Sequence, residues 1–179
     1  MLHSELCSQL ENIKNNLILG LSGVFLLTEE RSRGLLAGHH AKVGGLTIDF
    51  TEVSKLLAEP ADREIAVKEC IKSIFRNSLK ETFETIKVYC VDSNQTEIFQ
   101  KFGSYKVAKH LRNAVSHNNK WDLRDPRQKE LYPGLPFKWS GLVISADLDG
   151  LPVELSHVTF EIQLALVLDL ITHAQQELK

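Results

Sequence analysis

The residues of this chain best suited to chemistry lie in one short run, His110-Leu111-Arg112-Asn113-Ala114-Val115-Ser116-His117-Asn118-Asn119. Arg112 and His117 are separated by four residues, and Asn113 follows the arginine directly. A guanidinium is a permanent cation with forked donors, matched to the oxygens of a phosphate or carboxylate. An imidazole gives and takes protons near neutral pH. The surrounding charge agrees with an anionic partner. From Lys101 to Lys129 there are eight basic residues and two acids, a local balance of +6, although the whole chain carries −2. The remainder therefore holds 13 bases and 21 acids, or −8. A basic segment on an acidic body attracts a polyanion, or pairs with acidic faces of the same body.

The Arg-x4-His spacing is not selective by itself. With seven histidines in 179 residues, roughly one arginine with a histidine four to six residues behind it arises by chance. Arg33 and His39 form a second match, but in a glycine-rich stretch outside any helical pattern. Context separates the two. Val107, Leu111, Ala114 and Val115 recur at helical spacing, so Arg112 belongs to a helix that runs to about His117 or Asn118. On a straight helix Arg112 and His117 stand about 140° apart. They flank the apolar stripe from opposite sides, while His110, Asn113 and His117 share one flank. Three routes bring arginine and histidine together: the helix ends or bends near Ser116, the long arginine stem curls back, or a second protomer completes the site.

An arginine, a polar residue directly after it and a histidine a few positions on, late in a helical chain, resemble the signature of the HEPN superfamily. The resemblance implies an all-α HEPN-like bundle of four to five helices. It also implies metal-independent endoribonuclease chemistry, in which the ribose 2′-hydroxyl attacks the phosphate and leaves a cyclic phosphate. Arg112 would then face the doubly charged phosphorane, His117 would transfer protons, and Asn113 would orient a phosphate or the imidazole. Lys109, His110, Lys120, Arg124 and Arg127 are the accompanying RNA-contact candidates. No cofactor and no metal are expected. The site would be composite, built at a homodimer interface, and the chain would act as a cytoplasmic toxin or defence effector checked by an antitoxin protein. The alternative is a non-catalytic HEPN-like module that binds a nucleotide or a protein. Some HEPN toxins paired with a nucleotidyltransferase carry a tyrosine two positions after the motif histidine. That position is Asn119 here, so this mode of control does not carry over. His117-Asn118-Asn119 also suits a plain helix C-terminus, with Arg112 in a surface ion pair.

The elements that must position these residues follow from periodicity. Ser4 to about Glu30 reads as one helix with Leu6, Leu10, Ile13, Leu17, Leu21, Val24 and Phe25 in its stripe. Gly20 and Gly23 inside it mark close approach of another helix, or a break. Gly38 to Gly45 reads as a loop. A short helix after Asp49 or Thr51 ends at Pro60, and Asp62 caps a long helix from Arg63 to about Val91. Asp92-Ser93-Asn94 is a turn. The next helix starts at Thr96 and carries a bend at Gly103. From Asn118 to Trp139 three prolines break regular structure and leave a long connection. Trp121 and Trp139 border it and could stack bases or cap the bundle. Asp149-Gly150 between Leu142–Ile144 and Leu151–Val153 signals a hairpin. Ser156 caps a last helix to about Leu178, apolar almost all round between Ile162 and Ile171, hence central in a bundle or buried against a second subunit.

The length suits a single domain, residues 1–179, with a substantial core. No apolar run approaches a membrane span, and the N-terminus lacks a basic region ahead of an apolar one. Three scattered cysteines without C-x-x-C spacing read as buried free thiols in a reducing compartment. Among other catalytic motifs, P-loop, G-x-S-x-G, H-E-x-x-H and dinucleotide fingerprints are missing from the sequence.

Overall fold

The computed structural model describes every residue except Asn118 and Pro126. Among the described residues it is mostly helical, with seven α-helices and two small antiparallel hairpins. The helices are α1 (His3–Thr28), α2 (Glu30–Gly34), α3 (Thr51–Ala58), α4 (Pro60–Asp92), α5 (Thr96–Gln100), α6 (Tyr105–Ser116) and α7 (Phe160–Glu177). The strands are β1 (His40–Val43), β2 (Leu46–Asp49), β3 (Phe137–Trp139) and β4 (Leu142–Ile144). No helix of the described residues is long and apolar enough to cross a membrane.

Two compact units divide the chain. One comprises Met1–Asn15 with Phe75–Lys179, the other Asn16–Ile74. In the smaller unit Gly20 of α1 meets α4: a Cβ there would stand 3.2 Å from Ile74 Cδ1, so this glycine does mark a close helix approach. Gly23 has open space around it and does not. The stretch read as a loop from Gly38 to Gly45 contains a hairpin instead, with Val43 opposite Leu46 and Gly44 at a φ of +59°. Gly44-Gly45 is a two-residue turn that supplies the positive φ such hairpins need. Helix α4 begins at Pro60, ahead of the expected Arg63, because proline at a first helical position forfeits no hydrogen bond.

The larger unit holds the candidate site. Its core draws on Leu6 and Leu10 of α1, Phe83 and Ile86 of α4, and Leu166 and Leu170 of α7, all 5% exposed or less. Phe83, Phe99, Phe102 and Tyr105 pack ring against ring, with neighbouring centroids 4.9–5.7 Å apart, and lock α4, α5 and α6 together. The helix expected from Thr96 is cut in two rather than bent: residues 101–104 around Gly103 leave the helical path. The second hairpin pairs differently from expectation. Leu142–Ile144 pairs with Phe137–Trp139 across Ser140-Gly141, not with Leu151–Val153. Asp149-Gly150 is still a turn, but it follows a single 3-10 turn at Ala146–Leu148. Leu151–Val153 pairs instead with residues 119–121: Trp121 N donates to the Leu151 carbonyl at 2.9 Å, and Lys120 bridges Pro152. The proline, which has no N–H, thus confines that contact to an isolated bridge. Thr159, not Ser156, caps α7, its hydroxyl accepting from Ile162 N at 3.4 Å. One face of α7 is buried within this unit, through Leu166, Val167, Leu170, Ile171 and Ala174.

The cysteines do not share one environment. Cys90 is buried and burial pushes its thiol up to about 11, Cys7 is half-buried, and Cys70 is exposed. The expectation of buried thiols fits Cys90 only.

Candidate functional site at the end of helix α6

Helix α6 is amphipathic in the expected sense. Val107, Leu111 and Ala114 are buried, and Ala108 and His110 join them. Arg112 therefore emerges beside the stripe, against α4. Its Nη2 pairs with Glu84 Oε1 of α4, and its Nη1 donates to Asn113 Oδ1 at 2.7 Å. The guanidinium carbon lies 5.9 Å from the centre of the Phe83 ring. Only 22% of the Arg112 side chain and 32% of Glu84 is exposed. Burial pulls the guanidinium below its ordinary pKa, although it stays cationic at any working pH. Among the described residues Nε of Arg112 is buried without an acceptor. A planar cation held by a carboxylate, an amide and an aromatic face has few orientations left.

The helix ends where one of the three routes needs it to, but within the chain that end does not join arginine to histidine. Helical geometry stops at Ser116, and His117 is the C-cap with φ −122° and ψ 85°. His117 N donates to the carbonyls of Asn113 and Ala114, at 3.0 and 3.3 Å. Its imidazole is exposed. Among the described residues no hydrogen bond or ion pair joins it to Arg112. Asn113 meets the guanidinium of Arg112 through its Oδ1. Asn119, two residues past His117, adopts a φ of +55°, and its Nδ2 donates to the Val153 carbonyl at 3.1 Å. This turns the chain sharply after the motif.

His110 does not suit the RNA-contact role expected for it. It is 3% exposed and stacks on Phe137 at 4.9 Å, with Tyr132 edge-on at 4.7 Å. Burial, reinforced by the Lys109 ammonium, drives its pKa down to about 4, against an opposing hydrogen bond with the Asp122 backbone. Nδ1 has no partner among the described residues. His110 is a neutral core residue that pins the 120–139 connection onto α6. The remaining candidates lie nearer solvent. Lys109 is half-buried with Nζ 5.1 Å over the Tyr132 ring, and Lys120 and Arg127 are exposed. Arg124 is exposed but committed, its Nε donating to Asp149 Oδ2 at 2.6 Å. Trp121 is 2% exposed and Trp139 half-buried, so Trp121 offers no open face for stacking.

Glu84 is the residue that sequence reasoning missed. It sits next to Phe83 of the α4 stripe, and an acid on the flank of an amphipathic helix looks like any solvated charge until its partner is known. Among the described residues no group of three or more His, Cys, Asp or Glu could hold a metal ion. Comparison with models of known families, with curated proteins and with solved structures finds no match to this chain.

Proposed function

We propose that this chain is a HEPN-like endoribonuclease that cleaves RNA without a metal, acting at the end of α6 in a site completed by a second copy. The observation that supports this reading most is the division of labour between Arg112 and His117. The arginine is fixed by Glu84 and Asn113, while the imidazole is exposed one residue past the helix. The reaction needs one fixed cation and one mobile proton carrier. As the 2′-oxygen attacks phosphorus it loses its proton; the bond from phosphorus to the 5′-oxygen breaks, and that oxygen takes a proton. His117 serves the transfers, and the Arg112 donors left over by Glu84 and Asn113 meet the charge gathering on the phosphorane. Within one copy the two side chains do not engage each other, so the second copy supplies the histidine that faces a given arginine.

The test is cleavage of a labelled mixed-sequence RNA in EDTA by wild type, Arg112→Lys and His117→Ala. Cutting by wild type that falls at least about a hundredfold in each variant supports the reading. Equal cutting by all three sinks it. A second reading draws on the same ion pair: Arg112 and Glu84 tie α6 to α4 in a non-catalytic module. In that case Arg112→Ala lowers stability, and wild type shows no RNA turnover above background.

A further inference from the structure

A cavity of about 360 Å³ is lined by Trp121, Leu148, Leu151, Pro152, Glu154, Ser156 and His157. Its size suits one planar heterocycle. Its wall is tied to the segment that follows His117: the Asn119 carbonyl accepts from Val153 N at 2.9 Å, and Trp121 N donates to the Leu151 carbonyl at 2.9 Å. A base in this cavity would therefore sit a few residues of backbone from the motif histidine. Exposed Lys120 is bridged through its backbone to Pro152 of the lining, so a basic residue neighbours the cavity wall in the chain.

The polar side chains of the cavity are Glu154, Ser156 and His157. Glu154 Oε2 accepts a hydrogen bond from the Ser156 hydroxyl at 3.1 Å, which leaves Oε1 and the second lone pair of Oε2 available. His157 Nε2 donates to the Val143 carbonyl at 2.9 Å, which holds the ring against β4. The other lining residues are leucine, proline and tryptophan. A carboxylate among apolar lining residues selects a base with two adjacent N–H donors on one edge. Guanine has that pair, in its N1–H and its amino group. Adenine and cytosine place a ring-nitrogen acceptor beside the amino group, which a carboxylate repels, and uracil has one N–H between two carbonyls.

We infer that this cavity is a guanine pocket in which Glu154 reads the base edge, setting which phosphate the α6 site meets. The RNA origin of the guanine rests on the proposed function, whereas recognition of the base does not. The test uses the full chain, wild type and Glu154→Gln, and follows binding of the four nucleoside 3′-monophosphates by calorimetry. Guanosine monophosphate is expected to bind on the order of tenfold to a hundredfold tighter than the other three, and Glu154→Gln is expected to erase the difference. Equal affinity for all four, no binding, or a preference that survives Glu154→Gln overturns the pocket. These outcomes decide the matter whether or not the chain cuts RNA. Comparing a uridine pentamer carrying one central guanosine with free guanosine monophosphate separates the sources. Tighter binding of the pentamer supports RNA, and equal or tighter binding of the mononucleotide overturns the RNA assignment while leaving the base assignment standing. Mapped cuts in a mixed RNA should cluster beside guanosine in wild type and lose that bias in Glu154→Gln, with cutting elsewhere retained.

Discussion

Mild acid should destabilise this protein through His110, and the size of the effect follows from its surroundings. The ring is 3% exposed between Phe137 and Tyr132, with a lysine as its sequence neighbour and no partner at Nδ1 among the described residues. Its pKa falls from 6.5 to about 4 on folding. The unfolded chain therefore binds the proton between these values and the native chain does not, so stability is full above pH 6.5 and is lost as pH falls towards 4. Linkage gives a slope of about 1.4 kcal/mol per pH unit inside that window, and about 2 kcal/mol lost at pH 5 relative to pH 7.5. Carboxylates such as Asp125 and Asp149, whose pKa values are lowered, also weaken the fold in acid, but further down the scale. Replacing His110 by Phe keeps an aromatic ring in the stack and removes the titration. Urea unfolding at pH 7.5, 6 and 5 of wild type and His110→Phe isolates the term: the variant should lose about 2 kcal/mol less than wild type over that range. Parallel curves, differing by under about 0.5 kcal/mol, would show that the ring is not held neutral and that the 120–139 connection is not pinned by it.

Four further outcomes follow from particular contacts. Gly23→Ala, with open space at its Cβ in the interior of α1, should stabilise by about 0.5–1 kcal/mol in chemical unfolding, and Gly20→Ala by less because Ile74 is 3.2 Å away. Thr159→Ala removes the α7 cap and should cost about 1 kcal/mol in the same assay. A double-mutant cycle on Arg112→Ala and Glu84→Ala should return a coupling of about 1–2 kcal/mol, and purely additive losses would dissolve the tie between α4 and α6. Mixing inactive Arg112→Lys with inactive His117→Ala should restore part of the RNA cleavage if each site takes its arginine from one copy and its histidine from the other. A mixture that stays inactive although the copies exchange would place both groups in one copy.

The long helices were legible because their stripes are long. Leu6, Leu10, Ile13 and Leu17 define α1 over about three turns, and the 33 residues of α4 repeat the pattern even longer. Short elements carry less information. In His40–Val43 and Leu46–Asp49 the apolar residues Ala41, Val43, Leu46 and Ile48 do alternate with polar ones across the Gly-Gly turn, but four residues a side make a short signal, and the strands are mostly exposed. Leu142–Ile144 had two apolar partners in reach, and the nearer one across Ser140-Gly141 won at the lower loop-closure cost. At the site, the end of α6 at Ser116 was one of three routes that the Arg-x4-His spacing allowed. Glu84 and the aromatic sandwich around His110 were out of reach, since both are contacts between residues far apart in the chain. A buried histidine and an exposed one look the same in sequence; only the arrival of Tyr132 and Phe137 makes His110 a core residue and leaves His117 the available imidazole.

The most direct test of RNA cleavage by 2′-hydroxyl attack compares two labelled RNAs of one sequence, one with free 2′-hydroxyls and one fully 2′-O-methylated, both in EDTA. Wild type should cut only the first, leaving 2′,3′-cyclic phosphate ends, and His117→Ala should cut neither although its unfolding midpoint matches wild type. Cutting of the methylated strand, or undiminished cutting by His117→Ala, would contradict the assignment of Arg112 and His117 as the reacting pair.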